Sequence, residues 1–287
     1  MTSKRLIGCI LVRHGLAVQS FSFHRYLPIG KPEIAAEYLD RWGVDEIVLL
    51  DIDATPEDRA PNLKMIETVA TKIFTPLTVG GGVTSARHFQ DLLRAGADKI
   101  SLNSAFLSNP DIVTMAAERF GSQCVIASID AFKTANRYVA RDSFGAPTHS
   151  VQTLAALAEE KGAGEILLNS VERDGTQTGY DLELLAQVGA NTSIPIILLG
   201  GAGHPDHIAE AMRMKTASAV AVANMLHHTE HSVTAIKGYL KRARLSPRQV
   251  TIFEYTNDRF DETGRLAKKD EAILDDLGLI RVERDAI

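Results

Sequence analysis

Two glycine-ended apolar segments, 120 residues apart, constrain this chain more than any other feature. Residues 76–83 read PLTVGGGV, in which Pro76 opens a short apolar strand and Gly80, Gly81 and Gly82 close it. Residues 195–203 read PIILLGGAG, and the step from Gly81 to Gly201 is 120 positions. Glycines at the end of a strand let backbone N–H groups approach an anion closely. A helix predicted over residues 85–95 would aim its positive end at the same point. A tight strand-to-helix turn with no ligand has the same composition, so a single copy decides little. The same displacement recurs, however, between DKISLNSAF at 98–106 and SAVAVANML at 218–226. EIVLLD at 46–51 is answered by EILLNS at 165–170, and Cys9 in IGCILV by Cys124 in QCVIAS. Such self-similarity predicts two halves of four strand–helix units each. Eight units predict a (β/α)8 TIM barrel with a two-fold half-barrel repeat, and two phosphate-like sites facing each other across its C-terminal rim.

A chain of 287 residues accommodates one such barrel, assigned to residues 1–243, with a C-terminal extension over 244–287. From residue 245 onward the chain has 7 Lys/Arg against 10 Asp/Glu, so this stretch carries −3 of the formal net charge of −5. It reads as an appendage folded on the outside of the barrel. The overall charge leaves no basic footprint for nucleic acid. The two cysteines fall in segments read as apolar strands, which predicts buried thiols in a reducing cytoplasm rather than a disulfide. No leader pattern opens the chain, and no run approaches the roughly 20 apolar residues of a membrane helix. No pattern calls for a metal or a cofactor.

Between the strands, the polar stretch 13–31 is long for a strand-to-helix loop and reads as a lid over the rim. Asn109-Pro110 is a good helix start. The alternating, charged stretch 131–150 predicts a small hairpin on the same rim.

Strand parity then sorts the polar residues. Arg5, Ile7, Cys9 and Leu11 share one face of strand 1; Glu46, Val48 and Leu50 share one of strand 2. Lys99, Ser101 and Asn103 do so in strand 4, and Glu165, Leu167 and Asn169 in strand 6. Each set begins with a charge. Turned inward, these would bring two cations and two anions together at the barrel's bottom, where buried charges need partners; turned outward, they are four solvated rim charges. Asp130 ends strand 5, where barrel enzymes place general acids and bases, although a helix cap or a partner for Lys133 is equally readable. Asp51 and Asp174 reach the same rim. The loop Arg173-Asp174-Gly175-Thr176 either closes one phosphate site or is an ordinary glycine turn.

Arg5, Cys9, LTVGGGV, AGADKISLNSA, ERFGSQCVIASIDA, GAGEILLNS, RDGTQTGYDLEL and LGGAG together resemble the cyclase subunit of imidazole glycerol phosphate synthase, over about residues 4–243. The resemblance implies a glutaminase subunit docked on the barrel's bottom. It further implies ammonia passing a four-charge gate and reaction at the top with a phosphorylated, phosphoribosyl-type small molecule. The gate pattern is matched by Arg5, Glu46, Lys99 and Glu165, and the glutaminase contact by Asp98. Phosphate positions are matched by Gly82, Asn103 and Ser104 in one half, and by Asp174, Gly175, Gly201 and Gly203 in the other, with Asn224 where the family has a small hydroxyl residue. Of the two family aspartates only Asp130 is present. Leu11 occupies the position of its partner, and Gln19 replaces a basic residue of loop 1. Leucine transfers no proton. An intact gate beside half an acid–base pair points to the branch of cyclase-like paralogues from bacterial surface-polysaccharide clusters. These take ammonia from a glutaminase-like subunit and feed a sugar amidotransferase. The alternatives are a histidine-pathway cyclase that tolerates Leu11, and a non-catalytic scaffold that activates its glutaminase.

Overall fold

The computed structural model describes residues 3–135, 137–227, 232–248, 259, 260, 262 and 264. Its framework is eight parallel strands: β1 (Arg5–Arg13), β2 (Glu46–Asp51), β3 (Leu77–Gly80), β4 (Lys99–Leu102), β5 (Val125–Thr134), β6 (Glu165–Ser170), β7 (Ile196–Leu199) and β8 (Ala217–Val222). Each strand pairs with its successor; β8 pairs with β1, and the β5–β6 pairing completes a closed ring with no free edge. Helices follow the strands in turn: α1 (Pro32–Arg41), α2 (Leu63–Ala70), α3 (Ala86–Arg94), α4 (Asp111–Phe120), α5 (Val151–Glu160), α6 (Leu182–Gly189), α7 (Pro205–Arg213) and α8 (Ser232–Arg242). This is the (β/α)8 barrel that the repeat predicts.

Helix starts are written locally. Asn62, Ser85, Ser150 and Asp181 each accept a backbone N–H of the first turn of α2, α3, α5 and α6, a cap worth about 1 kcal/mol. The expected cap at Asn109-Pro110 is not of this kind: Pro110 enters α4 with no side-chain capping bond, and a one-turn helix, Ser104–Ser108, precedes it. Gly81 and Gly201, the residues 120 apart, both have positive φ (+112° and +99°). A Cβ on either would collide with a backbone carbonyl oxygen, that of Asp51 or that of Gly179, so glycine is required in both turns.

Strand parity separates two cores. One cluster, including Leu6, Ile10, Ile47, Leu49, Phe89 and Phe106, fills the layer between strands and helices. The other, including Ile7, Cys9, Val48, Ile126, Leu167 and Ile197, fills the barrel's interior. Arg5, Glu46, Lys99 and Glu165 belong to the interior face, one pleat below these residues.

Two expectations change and a third is met. The stretch 13–31 is not a polar loop but an antiparallel hairpin, Leu16–Phe21 with Arg25–Gly30, which continues β1. Its first turn is His14-Gly15, both with φ > 0, the backbone of a two-residue turn that matches strand twist; Ala17 and Val18 are buried by it. Cys9 is buried in β1, but Cys124 is half-buried in a short 3₁₀ turn ahead of β5, so only one cysteine lies in a strand. The predicted hairpin over 131–150 is present as two added strands, Arg137–Arg141 and Pro147–Ser150, paired onto the end of β5.

The extension over 244–287 lies largely outside the described residues. Where described, it rests on α8. Buried Lys237 donates to the carbonyl oxygens of Gly43 (2.7 Å) and Arg248 (2.7 Å) and to the Asp45 carboxylate (2.9 Å). The Phe260 ring meets that of Tyr239 edge-on at 5.2 Å. Among the described residues no helix is long and apolar enough to cross a membrane.

Candidate active site

At the C-terminal rim the strands open into a cavity of about 420 Å³. Asp130, Leu11, Gly82, Asn103, Ser104 and Asp174 all line it. Five carboxylates face this space, and their partners distinguish them. Asp51 is held bidentately by Arg59 at 2.9 and 3.2 Å. Asp53 takes the His14 backbone N–H at 2.6 Å and lies 3.5 Å from Arg13 Nε. Asp142 accepts the N–H groups of Phe144 and Ala146. Asp174 accepts from Ser20 Oγ at 2.5 Å and from the Phe23 N–H at 3.3 Å. Asp130 alone is held only by neutral side-chain amides: Asn103 Nδ2 and Asn169 Nδ2, each at 3.2 Å.

Burial pushes the Asp130 carboxyl up to about 6, against the hydrogen bond from Asn169 and the field of Arg141, both of which favour the anion; nearby Asp174 pushes it further up. A carboxyl poised near neutrality suits proton transfer. Burial likewise raises the Asp174 carboxyl and takes the Cys9 thiol, at the base of the cavity, to about 12. Cys9 is thus an inert core thiol. Removing Arg141, which faces the cavity and lies over the Phe23 ring at 5.2 Å, takes away a stabiliser of the anion. Arg141→Ala therefore raises the Asp130 midpoint above about 6, which carboxyl-carbon NMR titration reads directly; an unmoved midpoint would exclude Arg141 from the electrostatics of this carboxyl.

Gly82, Asn103 and Ser104 meet on the cavity wall. Of the second phosphate set only Asp174 joins them: Gly175, Gly201, Gly203 and Asn224 lie outside the cavity lining. Strand parity did not reveal Arg13, Tyr26, Phe23 and Arg141, which the two rim hairpins bring over the cavity. Arg13 stacks on Tyr26 at 4.4 Å. The HG dipeptide at 14–15 and the alternation LAVQSF at 16–21 were the signals for the first hairpin.

At the opposite end of the barrel, Arg5, Glu46, Lys99 and Glu165 close into a ring of alternating charge. Arg5 reaches Glu46 at 2.5 Å and Glu165 at 3.0 Å; Lys99 reaches the same two carboxylates at 3.1 and 3.2 Å. These are the charges at the starts of β1, β2, β4 and β6, turned inward rather than to solvent. Asp98, next to the ring, is exposed, and one of its oxygens accepts the Leu77 N–H at 2.8 Å.

Fold and rim pocket define the class: a (β/α)8 barrel whose C-terminal face holds a cavity built around a titratable carboxylate. Residues 5–232 match the family described as histidine biosynthesis protein. The chain is 43% identical over 267 residues to a Vibrio vulnificus protein provisionally named imidazole glycerol phosphate synthase subunit hisF2, covering 92% of this chain and 98% of that one. It is 42% identical to imidazole glycerol phosphate synthase subunit HisF of Bacillus cereus over 252 residues, 86% of this chain and 100% of that one. The HisF subunit of Dehalococcoides mccartyi is also 42% identical, over 251 residues, 86% of this chain and 99% of the relative. The chain belongs to the histidine biosynthesis protein family, and it is HisF-like throughout its barrel.

Proposed function

We propose that this chain is the ammonia-consuming subunit of a glutaminase-coupled synthase of the imidazole glycerol phosphate synthase type, acting in the cytoplasm on a phosphorylated small molecule. The observation that carries the reading is the pairing of the closed four-charge ring at one end of the barrel with Asp130 in the cavity at the other. Ammonia released by a glutaminase docked below enters through the ring and travels through the interior. There the buried Ser101 and Ser128 line the cavity and offer hydroxyls. Asn169 Oδ1, buried with no partner among the described residues, offers an acceptor to an ammonia N–H beside Asp130. The names of the relatives support cyclisation in the histidine pathway as the reaction.

Leu11 favours a second reading. With no carboxylate opposite Asp130, the barrel serves chiefly as an ammonia conduit, and the acceptor belongs to a sugar amidotransferase in surface-polysaccharide synthesis. Turnover of the histidine-pathway substrate by the unmodified chain with excess ammonium salt separates the two: strong turnover supports cyclisation and removes the second reading.

Docking is testable at Asp98. The same barrel end carries Phe74, 99% exposed, of the residue kind that anchors interfaces. Because one Asp98 oxygen holds the Leu77 N–H, Asp98→Asn keeps that bond and removes only the charge. Glutaminase binding weakens by roughly tenfold if a charged hydrogen bond crosses the interface, with the melting temperature unchanged. Unaltered affinity in a titration of the two purified subunits would remove Asp98 from the interface.

A further inference from the structure

The second glycine corner, which the half-barrel repeat equates with the first, is filled by the chain itself. Asn224 and the backbone of Ser20 bond reciprocally: Asn224 Nδ2 donates to the Ser20 carbonyl oxygen at 2.7 Å, and Asn224 Oδ1 accepts the Ser20 N–H at 3.1 Å. Gln19 Nε2 adds a bond to the Asn224 carbonyl oxygen at 3.2 Å. From the other side Asp174 takes the Ser20 hydroxyl and the Phe23 N–H on its carboxylate, and the Ser22 N–H on its carbonyl at 2.9 Å. A Cβ on Gly175 would collide with the Ser20 carbonyl oxygen, and one on Gly203 with Gln177. The Gly203 N–H is spent on His207 Nδ1 at 3.3 Å. A side-chain amide that satisfies one peptide group on both its donor and its acceptor holds the hairpin in a single register. Of the groups that would cradle a phosphate here, the Gly203 N–H and the Asn224 side chain are occupied. In the first half Gly82, Asn103 and Ser104 stay on the cavity wall; the Gly82 N–H makes only a long bond to Thr55 Oγ1, at 3.4 Å, and the Asn103 amide holds Asp130 and the Ser128 carbonyl.

We infer that this pocket takes a singly phosphorylated acceptor, its phosphate at Gly82, Asn103 and Ser104, and that Asn224 is the residue that excludes a second phosphate. The other end of the ligand faces Arg141, whose guanidinium makes no ion pair among the described residues while lining the same cavity. This inference rests on the phosphorylated-acceptor reading above and narrows it to a single phosphate.

The test has two arms. Crystals of the unmodified chain are equilibrated with inorganic phosphate, and calorimetry compares ribose 5-phosphate with ribose 1,5-bisphosphate. We expect one phosphate, at the Gly82 corner, and affinities for the two sugars within about threefold of each other. Asn224→Ser releases the corner and tightens the bisphosphate by about tenfold or more, the worth of charge-assisted bonds to a second phosphate, leaving the monophosphate unchanged. Phosphate in both corners of the unmodified chain, or a bisphosphate preference of about tenfold before mutation, overturns the inference while leaving the phosphorylated-acceptor reading intact. Phosphate in neither corner, with neither sugar bound, overturns that reading and the inference with it.

Discussion

Leu11→Asp raises kcat for ammonia-dependent cyclisation of the histidine-pathway substrate by about 10²–10⁴-fold, the usual contribution of one positioned acid or base. Leu11 and Asp130 line the same cavity from β1 and β5, and the substitution restores a carboxylate on the wall opposite Asp130. Asp51 and Asp53 do not stand in for it. Asp51 is clamped by Arg59, and Asp53 is engaged by the His14 N–H beside Arg13. Both are therefore committed to ion pairs rather than free to serve the substrate. The gain falls on kcat. KM stays high until Asn224→Ser opens the second corner, so the two substitutions act on different kinetic constants. Substrate loss is followed with excess ammonium salt and no glutaminase. Equal turnover with and without the substitution would mean that one carboxylate suffices. No turnover in either form, with glutaminase still stimulated, would leave the chain as a conduit or scaffold.

Asp130→Asn, made in the Leu11→Asp background, abolishes that gain, again by about 10²–10⁴-fold. In the parent chain the same substitution stabilises the fold near neutral pH. The sign follows from linkage: the carboxyl titrates at about 6 in the folded protein against a reference of 3.8. Above about 6 the folded chain must hold a buried anion, a cost the unfolded chain does not bear. Between about 6 and 3.8 the folded chain binds the proton more tightly, and the cost fades as pH falls; below 3.8 it is gone. The thermal advantage of the Asp130→Asn variant over the parent chain is thus largest at about pH 7 and shrinks towards about pH 4. The pocket can accept the new amide, because Asn169 Oδ1 has no partner among the described residues and a flip of its side chain presents that oxygen to the introduced NH₂. A melting-temperature difference that is flat across this range, or reversed in sign, would show that Asp130 is not a strained, functional acid.

Much of this was readable from residue order. The displacement of 120 between PLTVGGGV and PIILLGGAG, with the weaker echoes at 46–51 and 165–170, specified eight units and hence the barrel, because a strand ending in glycine before a helix is a local pattern. Parity along β1, β2, β4 and β6 put the four charges on one face of their strands, because a strand turns alternate residues to opposite faces whatever surrounds it. The family pattern matched them to a gate; that they turn inward and close into a ring is a feature of the fold. Position at the end of β5 made Asp130 a candidate, and the family pattern singled it out. Leu11 and Asn224 stood out against the family pattern as single-residue departures.

Tertiary structure decided the rest, because it depended on what each group meets across the chain. Sequence placed Asp51, Asp130 and Asp174 near one rim but could not say that two are already taken, for Arg59 and the Ser20 hydroxyl find their partners only after folding. Nor could it raise the Asp130 carboxyl to about 6, since burial is a property of the packed barrel. Residues 13–31 looked polar and loop-like; closure of β1 onto the rim turned them into a hairpin by supplying a pairing edge and burying Ala17 and Val18. That hairpin then brought Ser20 to Asn224, 204 residues away along the chain, and filled a glycine corner that by sequence is the twin of an open one.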